Sequence, residues 1–338
     1  MEERIKKIAL HAIDEKIFPG CVVGVIKQGK RIVLPFGTYT YDHDARLMHT
    51  DSIFDIASIT KSIPTASLTL FLIDRGELRL DDKLVTYVPE FQNRDREQVL
   101  IRHLLTHTLD FDLTLSSLKD QDPDKILHRI FTAWFKSKPG TTYAYVNATS
   151  ILLGFVIERV SKKPLDVLAA EEFFTPLGMK RTTFHPGLFP KEEIVPTEID
   201  SWRGRLIQGE VHDESTYALS KKYVVGSAGL FSTAPDQLTF LEMLLQSGTY
   251  KGRTYFSARS IGRFAGLGWE LYQPRFMGKY ATKNTFGKTG FTGCLVLCDP
   301  EKQIGIVILS NFTYPKRKPD KNIRDRVFRE IADSILSH

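Results

Sequence analysis

Strand-forming residues lie near both ends of this chain, and the long stretch between them reads mainly as helix. Residues 21–27 and 31–37 are β-branched, apolar runs joined by Gln28-Gly29-Lys30, which has the composition of a hairpin turn. Residues 293–298 and 304–310 are two more such runs, joined across 299–303 by a turn composition, with a shorter apolar run at 268–272 before them. From about residue 58 to 250 the periodicity is helical, clearest at 66–75, 101–106, 125–136, 148–161 and 165–174, with a further helix at 237–245. Ile5, Ile8, Ala9, Ala12 and Ile13 place an amphipathic helix over 2–16, and 323–336 reads as another. The order predicts an α+β fold, in which an antiparallel sheet is flanked by the N- and C-terminal helices and a mainly helical subdomain is inserted. The expected division is an α/β part at about 1–57 and 235–338 and a helical part at about 58–234, within one discontinuous unit. No repeat, low-complexity stretch or linker argues for cutting the chain in two.

The 338 residues are enough for a sizeable core, and 42% hydrophobic with 25% charged residues is an ordinary globular composition. The net charge of +6 comes from 46 basic and 40 acidic residues spread along the chain, so a solvated surface explains it better than nucleic-acid binding. The one dense basic run, Lys316-Arg317-Lys318 between Pro315 and Pro319, reads as an exposed turn before a helix. Cys21, Cys294 and Cys298 sit in apolar stretches without a Cys-x-x-Cys pair, and buried, reduced thiols are expected. The charged, amphipathic start has no apolar signal core and no run reaches membrane-spanning length. As written, the chain reads as soluble and cytoplasmic, or as periplasmic or extracellular if a leader has been removed.

Three short segments carry candidate chemistry. In Ser58-Ile59-Thr60-Lys61 the spacing puts a hydroxyl near a helix start with an amine one turn on, and Pro64 must then lie in the first turn or kink the helix. A lysine held in a dry site loses basicity until it can take a serine's proton. Alone, the same spacing is better read as a capped helix with a solvated lysine. Tyr145-Val146-Asn147 falls on a loop leading into a helix. Its phenol beside ammonium groups can relay a proton and its amide can bind substrate, although a buried loop tyrosine with a capping asparagine reads the same way. Lys288-Thr289-Gly290 precedes the strand at 294–298, offering a cation, a hydroxyl and a backbone free of Cβ to a substrate edge; a glycine-rich edge strand is the plainer alternative.

The three segments follow one another at separations of 87 and 143 positions, each on a suitable element. Together they resemble the serine β-lactamase and penicillin-binding-protein superfamily, in its class C-like branch, where Tyr-x-Asn takes the place of Ser-Asp-Asn. Phe54-Asp55-Ile56-Ala57, Ile101 to Thr108 and Gly229-Leu230-Phe231-Ser232-Thr233-Ala234 resemble that branch as well. Val211-His212-Asp213-Glu214 and Ser310-Asn311 with Tyr314-Pro315 resemble a subgroup rich in hydrolases and esterases. The resemblance implies that Ser58 forms an acyl-enzyme, with Lys61 and Tyr145 sharing general-base and acid duty and Asn147 touching substrate. It further implies an oxyanion hole from the backbone N–H groups of Ser58 and Phe291, with Lys288 holding Tyr145 and meeting a substrate carboxylate. Two departures stand out. Leu109-Asp110 replaces the Ser-Gly that follows Thr-His-Thr in the family, changing a turn that favours glycine, and Val146 replaces a common serine.

His103 and His107 have the spacing of a helical zinc pair but no glutamate follows His103, so core or capping roles are expected. His212 and Asp213 read equally well as a site border or a polar turn. Gly226-Ser227-Ala228-Gly229 has the wrong spacing for a nucleophile elbow, and there is no phosphate loop or dinucleotide fingerprint. No cofactor or metal is expected. The substrate classes implied are β-lactams, carboxylic esters and D-amino-acid peptides. Lys288 favours a carboxylate-bearing substrate and the subgroup favours esters, so weak β-lactamase activity beside esterase activity on short acyl esters is expected. The alternatives are a D-alanyl peptidase or penicillin-binding protein, and a non-catalytic binding protein with the loop at Leu109-Asp110 closing the pocket. No nucleic-acid or membrane partner is expected, and the sequence is silent on oligomeric state.

Overall fold

The computed structural model describes residues 1–92 and 94–337. Helix α1 (Glu2–Asp14) leads into the hairpin β1 (Gly20–Lys27) and β2 (Lys30–Gly37), and a two-residue strand β3 (Phe54–Asp55) follows. The middle of the chain contributes α2 (Ser67–Asp74), α3 (Ile101–Leu105), α4 (Pro123–Thr132), α5 (Asn147–Ser161), α6 (Glu214–Ser220) and the short strand β4 (Phe231–Ser232). The chain closes with α7 (Ala234–Leu245), β5 (Glu270–Leu271), β6 (Phe286–Gly290), β7 (Cys294–Asp299), β8 (Ile304–Ser310) and α8 (Asn322–Leu336).

Both ends of the chain build one antiparallel sheet in the order β2-β1-β8-β7-β6-β5, in which β1 of the N-terminal hairpin pairs with β8, Val22 opposite Leu309. Its central strands β7 and β8 are buried at every position and almost wholly apolar because both faces are covered. Cys21, Val23, Val25, Leu295, Leu297, Ile306 and Ile308 pack against α1 and α8 through Ile5, Ala9, Phe328 and Ile331. The alternate residues Val22, Ile26, Val296, Val307 and Leu309 join the larger cluster that includes Leu238 and Leu241 of α7 and Leu104, Ile151 and Phe173 of the helical part. Each such side chain withdrawn from water contributes roughly 1.5–3 kcal/mol. All three cysteines are buried and free, as their apolar settings require.

Several expectations need correction. The helix expected at 125–136 runs from Pro123 to Thr132, capped by Asp122, and the segment expected as one helix at 165–174 passes from α-helix at Leu165–Ala169 into a wider turn at Ala170–Phe174. Of the run at 268–272 only Glu270 and Leu271 form a strand, at the sheet edge. The basic run is not an exposed turn throughout. Arg317 pairs with Glu198 at 2.7 Å and Glu214 at 3.1 Å, and the Lys318 ammonium donates to the carbonyls of Ile17 and Phe312. Buried and half-buried acceptors brought from elsewhere in the fold draw those charges inward. Among the described residues no helix is long and apolar enough to cross a membrane.

Candidate active site

Strand β3 delivers the chain to Ser58. It pairs with β4, the Ile56 N–H donates to the carbonyl of Leu230, and the Asp55 carboxylate accepts from the backbone N–H groups of Ala57 (2.8 Å) and His212 (2.7 Å). Those bonds hold Ala57 at φ +47°, a left-handed conformation that costs a non-glycine residue on the order of 1 kcal/mol. Ser58 then lies on a 3₁₀ turn, Ala57–Lys61, rather than at the start of a continuous α-helix. Ile63 (φ −118°, ψ 110°), forced out of the helical region by Pro64, separates this turn from α2. The outcome for the side chains is still favourable, because residues three apart eclipse one another in a 3₁₀ turn. The Lys61 Nζ sits 3.2 Å from the Ser58 Oγ, and it also donates to the Ser227 carbonyl at 2.7 Å.

Tyr145 lies in the extended segment that enters α5. Its ring centroid is 5.3 Å from the Lys61 Nζ, 4.3 Å from the Lys288 Nζ and 4.8 Å from the His107 ring. Tyr145 is 43% exposed and lines the pocket, and its hydroxyl faces the Ser58 hydroxyl, which acts on it as a hydrogen-bond partner. Burial alone would raise the phenol pKa, but Lys61, Lys288 and the Ser58 hydrogen bond outweigh it and hold Tyr145 below an ordinary tyrosine. Burial, reinforced by the Lys288 charge, lowers Lys61 as well, against the opposing pull of Tyr145 and Asp213. His107 is held well below its usual value by burial and by the two lysines, which keeps it neutral, and it bonds Thr149 at 2.9 Å. Ser58, Lys61 and Tyr145 therefore form one contiguous, electrostatically coupled cluster.

Lys288, on β6, is 2% exposed in its side chain and pairs with Glu270 of the neighbouring strand at 3.0 Å. Burial works against its charge, yet Tyr145 and Glu270 keep its pKa above that of an ordinary lysine. The ammonium expected to face a substrate carboxylate is thus already matched by one from the protein. Asn147 is similarly committed, its amide nitrogen donating to Asp213 and Ser215 at 3.1 Å each. That leaves no amide N–H for the substrate contact expected of it. Thr289 and Phe291 line a pocket of about 300 Å³ with Ser58, Tyr145, Tyr143, Glu270, Arg275, Lys321 and Arg324. Gly290 approaches Ile56 so closely that a Cβ would lie 2.4 Å from its carbonyl oxygen, which locks β6 against the serine turn rather than against a substrate. A neighbouring cavity of about 470 Å³ shares Tyr143, Glu270 and Arg275 but does not reach Ser58.

The loop that lost its glycine is accommodated without strain at that position. Leu109 is fully buried in the core cluster and lines neither cavity, and the left-handed residue of this turn is His107 (φ +52°). His103 caps α3, its ring accepting from the Leu100 N–H, and His107 packs on Tyr145. Among the described residues no three His, Cys, Asp or Glu side chains gather as a metal would need.

Four neighbours of the cluster escaped sequence reasoning. Asp213 caps α6 and acts on Lys61 through its charge, Asp55 anchors the serine turn, Ser227 offers its carbonyl to Lys61, and Glu270 pairs with Lys288. Asp213 was weighed as a site border and Asp55 lies in a segment that resembles the family, but nothing pointed to these roles for Ser227 and Glu270. Those two act from backbone atoms or from strands whose register the sequence does not display.

A family model described as Beta-lactamase matches residues 5–329. A protein named N-acetylmuramyl-L-alanine amidase from Bacillus subtilis (strain 168) is 28% identical, over 90% of this chain and 80% of its own. One named putative D-alanyl-D-alanine carboxypeptidase, from Escherichia coli (strain K12), is 30% identical over 81% of this chain and 72% of its own. A solved structure described as a class C beta lactamase has a TM-score of 0.77 at 18% identity, covering 98% of this chain and 97% of that one. Its likeness bears out the expected fold class.

Proposed function

Because the chain belongs to the β-lactamase family of serine hydrolases, we propose that Ser58 is its nucleophile and that Lys61 and Tyr145 together act as its base. The observation that carries this reading is the buried Lys61 amine 3.2 Å from the Ser58 hydroxyl, with the pKa values of both Lys61 and Tyr145 displaced downward. A lysine and a tyrosine so displaced give up their protons more readily than usual, which is what a base for the serine hydroxyl requires.

In the proposed reaction the Ser58 Oγ attacks the carbonyl carbon of an ester or amide and its proton passes to the Lys61–Tyr145 pair. The backbone N–H groups of Ser58 and Phe291 receive the developing oxyanion. Collapse breaks the bond to the alcohol or amine, which leaves with the proton, and the acyl group stays on Ser58. Water, deprotonated by the same pair, then attacks the acyl-enzyme and releases the acid and free serine. Lys288 keeps Tyr145 acidic by its charge. Asn147, whose amide is tied to Asp213, orients the lysine side of the cluster rather than reaching substrate.

The pocket over Ser58, about 300 Å³, is large enough to hold a small acyl group, which is the substrate class proposed. The names of the two relatives point to amide bonds, and β-lactams, short esters and D-amino-acid peptides share the acyl carbonyl that this geometry addresses. A non-catalytic role is disfavoured because Leu109 packs inward and leaves that pocket open.

The test is steady-state turnover of nitrocefin and p-nitrophenyl butyrate, with labelling by a fluorescent penicillin, each beside Ser58→Ala. Turnover or labelling that disappears in Ser58→Ala is expected. Wild-type protein that neither turns over nor becomes labelled would overturn the hydrolase reading.

A further inference from the structure

The geometry points to Glu270 as a specificity-determining residue, one that fills the anion site at Lys288 with a carboxylate of the protein's own and so directs the site toward acyl groups uncharged at that position. This rests on the reading of Ser58 as nucleophile.

Lys61 and Lys288 are the cations nearest the phenol, Glu270 acts on both the phenol and Lys288, and Asp213 acts on Lys61. Lys288 is nearly buried and borders the neighbouring cavity, whereas Glu270, 24% exposed in its side chain, lines both that cavity and the pocket over Ser58. A substrate carboxylate arriving at Lys288 would place two anions on one ammonium, and like charges sharing a partly desolvated site repel strongly. To bind there it must displace Glu270 from a 3.0 Å ion pair.

The cations that line the pocket over Ser58 do not offer an equivalent place. Arg275 and Arg324 both pair with Asp325, which is buried, and Arg324 also donates to the Gly290 carbonyl at 3.0 Å. Lys321 has no ion pair among the described residues, but it is exposed and lies over the Phe291 ring at 4.7 Å. An exposed ammonium is screened by solvent and salt and gives an anionic substrate little anchorage. A neutral acyl chain meets none of these costs, so specificity arises from repulsion of the wrong substrate as much as from attraction of the right one.

The experiment compares two p-nitrophenyl esters of matched length, the neutral butyrate and the anionic hemisuccinate, on the full chain and on Glu270→Gln and Glu270→Asp. Glu270→Gln is isosteric and removes the competing charge. The ratio of kcat/KM for hemisuccinate over butyrate is expected to rise at least about tenfold. The rise should come mainly from a lower KM for the anionic ester and shrink in high salt. Glu270→Asp, which withdraws the carboxylate by one methylene, should give an intermediate ratio, and it carries the test if the glutamine variant fails to fold. A ratio unchanged within about twofold in a folded variant, or a fall in both activities together, would overturn the assignment and leave Ser58 as nucleophile intact. Wild-type protein inert toward both esters and toward penicillin would overturn both.

Discussion

Substituting Gly290 by alanine tests how tightly the serine turn depends on the strand beside it. The added Cβ would lie 2.4 Å from the Ile56 carbonyl oxygen and 3.2 Å from the Cys294 Cβ, where ordinary contact begins at 3.4 Å. Neither neighbour can give way cheaply. The Ile56 N–H is held by the Leu230 carbonyl and the Asp55 carbonyl accepts from Thr292 at 2.7 Å, while Cys294 pairs with Leu309 inside the sheet. β6 and the turn bearing Ser58 must therefore part by about 1 Å, and overpacking of this kind costs about 1–3 kcal/mol of stability. The same displacement separates Ser58 from the Phe291 N–H, and a shift of about 1 Å in a reacting group costs roughly 100-fold in rate. Urea unfolding and kcat/KM for p-nitrophenyl butyrate, measured on the same preparation below the unfolding transition, read the two effects separately. The expected result is a folded protein of lower midpoint whose kcat/KM falls about 100-fold. A folded variant whose kcat/KM stays within about threefold of wild type would refute the dependence of the nucleophile on this close approach.

The remaining predictions concern electrostatics and the altered loop. Lys288→Met removes a cation that lowers both Tyr145 and Lys61, so both pKa values rise and the limb on which kcat/KM climbs with pH moves to higher pH. A pH profile with the neutral ester checks this, and a limb that stays in place or moves to lower pH contradicts it. Leu109→Ser restores the residue usual in the family but opens a cavity in the core and buries a hydroxyl there, so stability should fall by about 2–4 kcal/mol in urea with no gain in turnover. An unchanged midpoint would show that Leu109 is not the apolar anchor its burial indicates.

The sheet was legible in the sequence because three of its strands, β1, β7 and β8, are covered on both faces and appear as mainly apolar runs, and because the hairpin and the Asp299–Gln303 turn separate the runs. Ser58, Lys61, Tyr145 and Lys288 were legible because their spacing along the chain resembles a family. Their partners were not. Glu270 meets Lys288 only through the register that pairs β5 with β6, and Ser227 contributes a carbonyl, which no residue type announces. The helix expected from Ser58 onward is interrupted at Ile63. The signal was present in Pro64, whose ring pushes the preceding residue out of the helical region. Arg317 read as solvated because its acceptor Glu198 lies 119 positions away. The pairing of Lys288 with Glu270 was hidden for the same reason, since a cation's partner is set by tertiary contact and not by its own motif.

Mass spectrometry of the intact protein, quenched with acid during turnover of p-nitrophenyl butyrate or after reaction with penicillin, tests the central claim most directly. An adduct of the acyl mass, mapped by peptide digestion to Ser58 and absent from Ser58→Ala, is the expected result. An adduct mapped to any other residue, or a Ser58→Ala protein that turns over as fast as wild type, would contradict it.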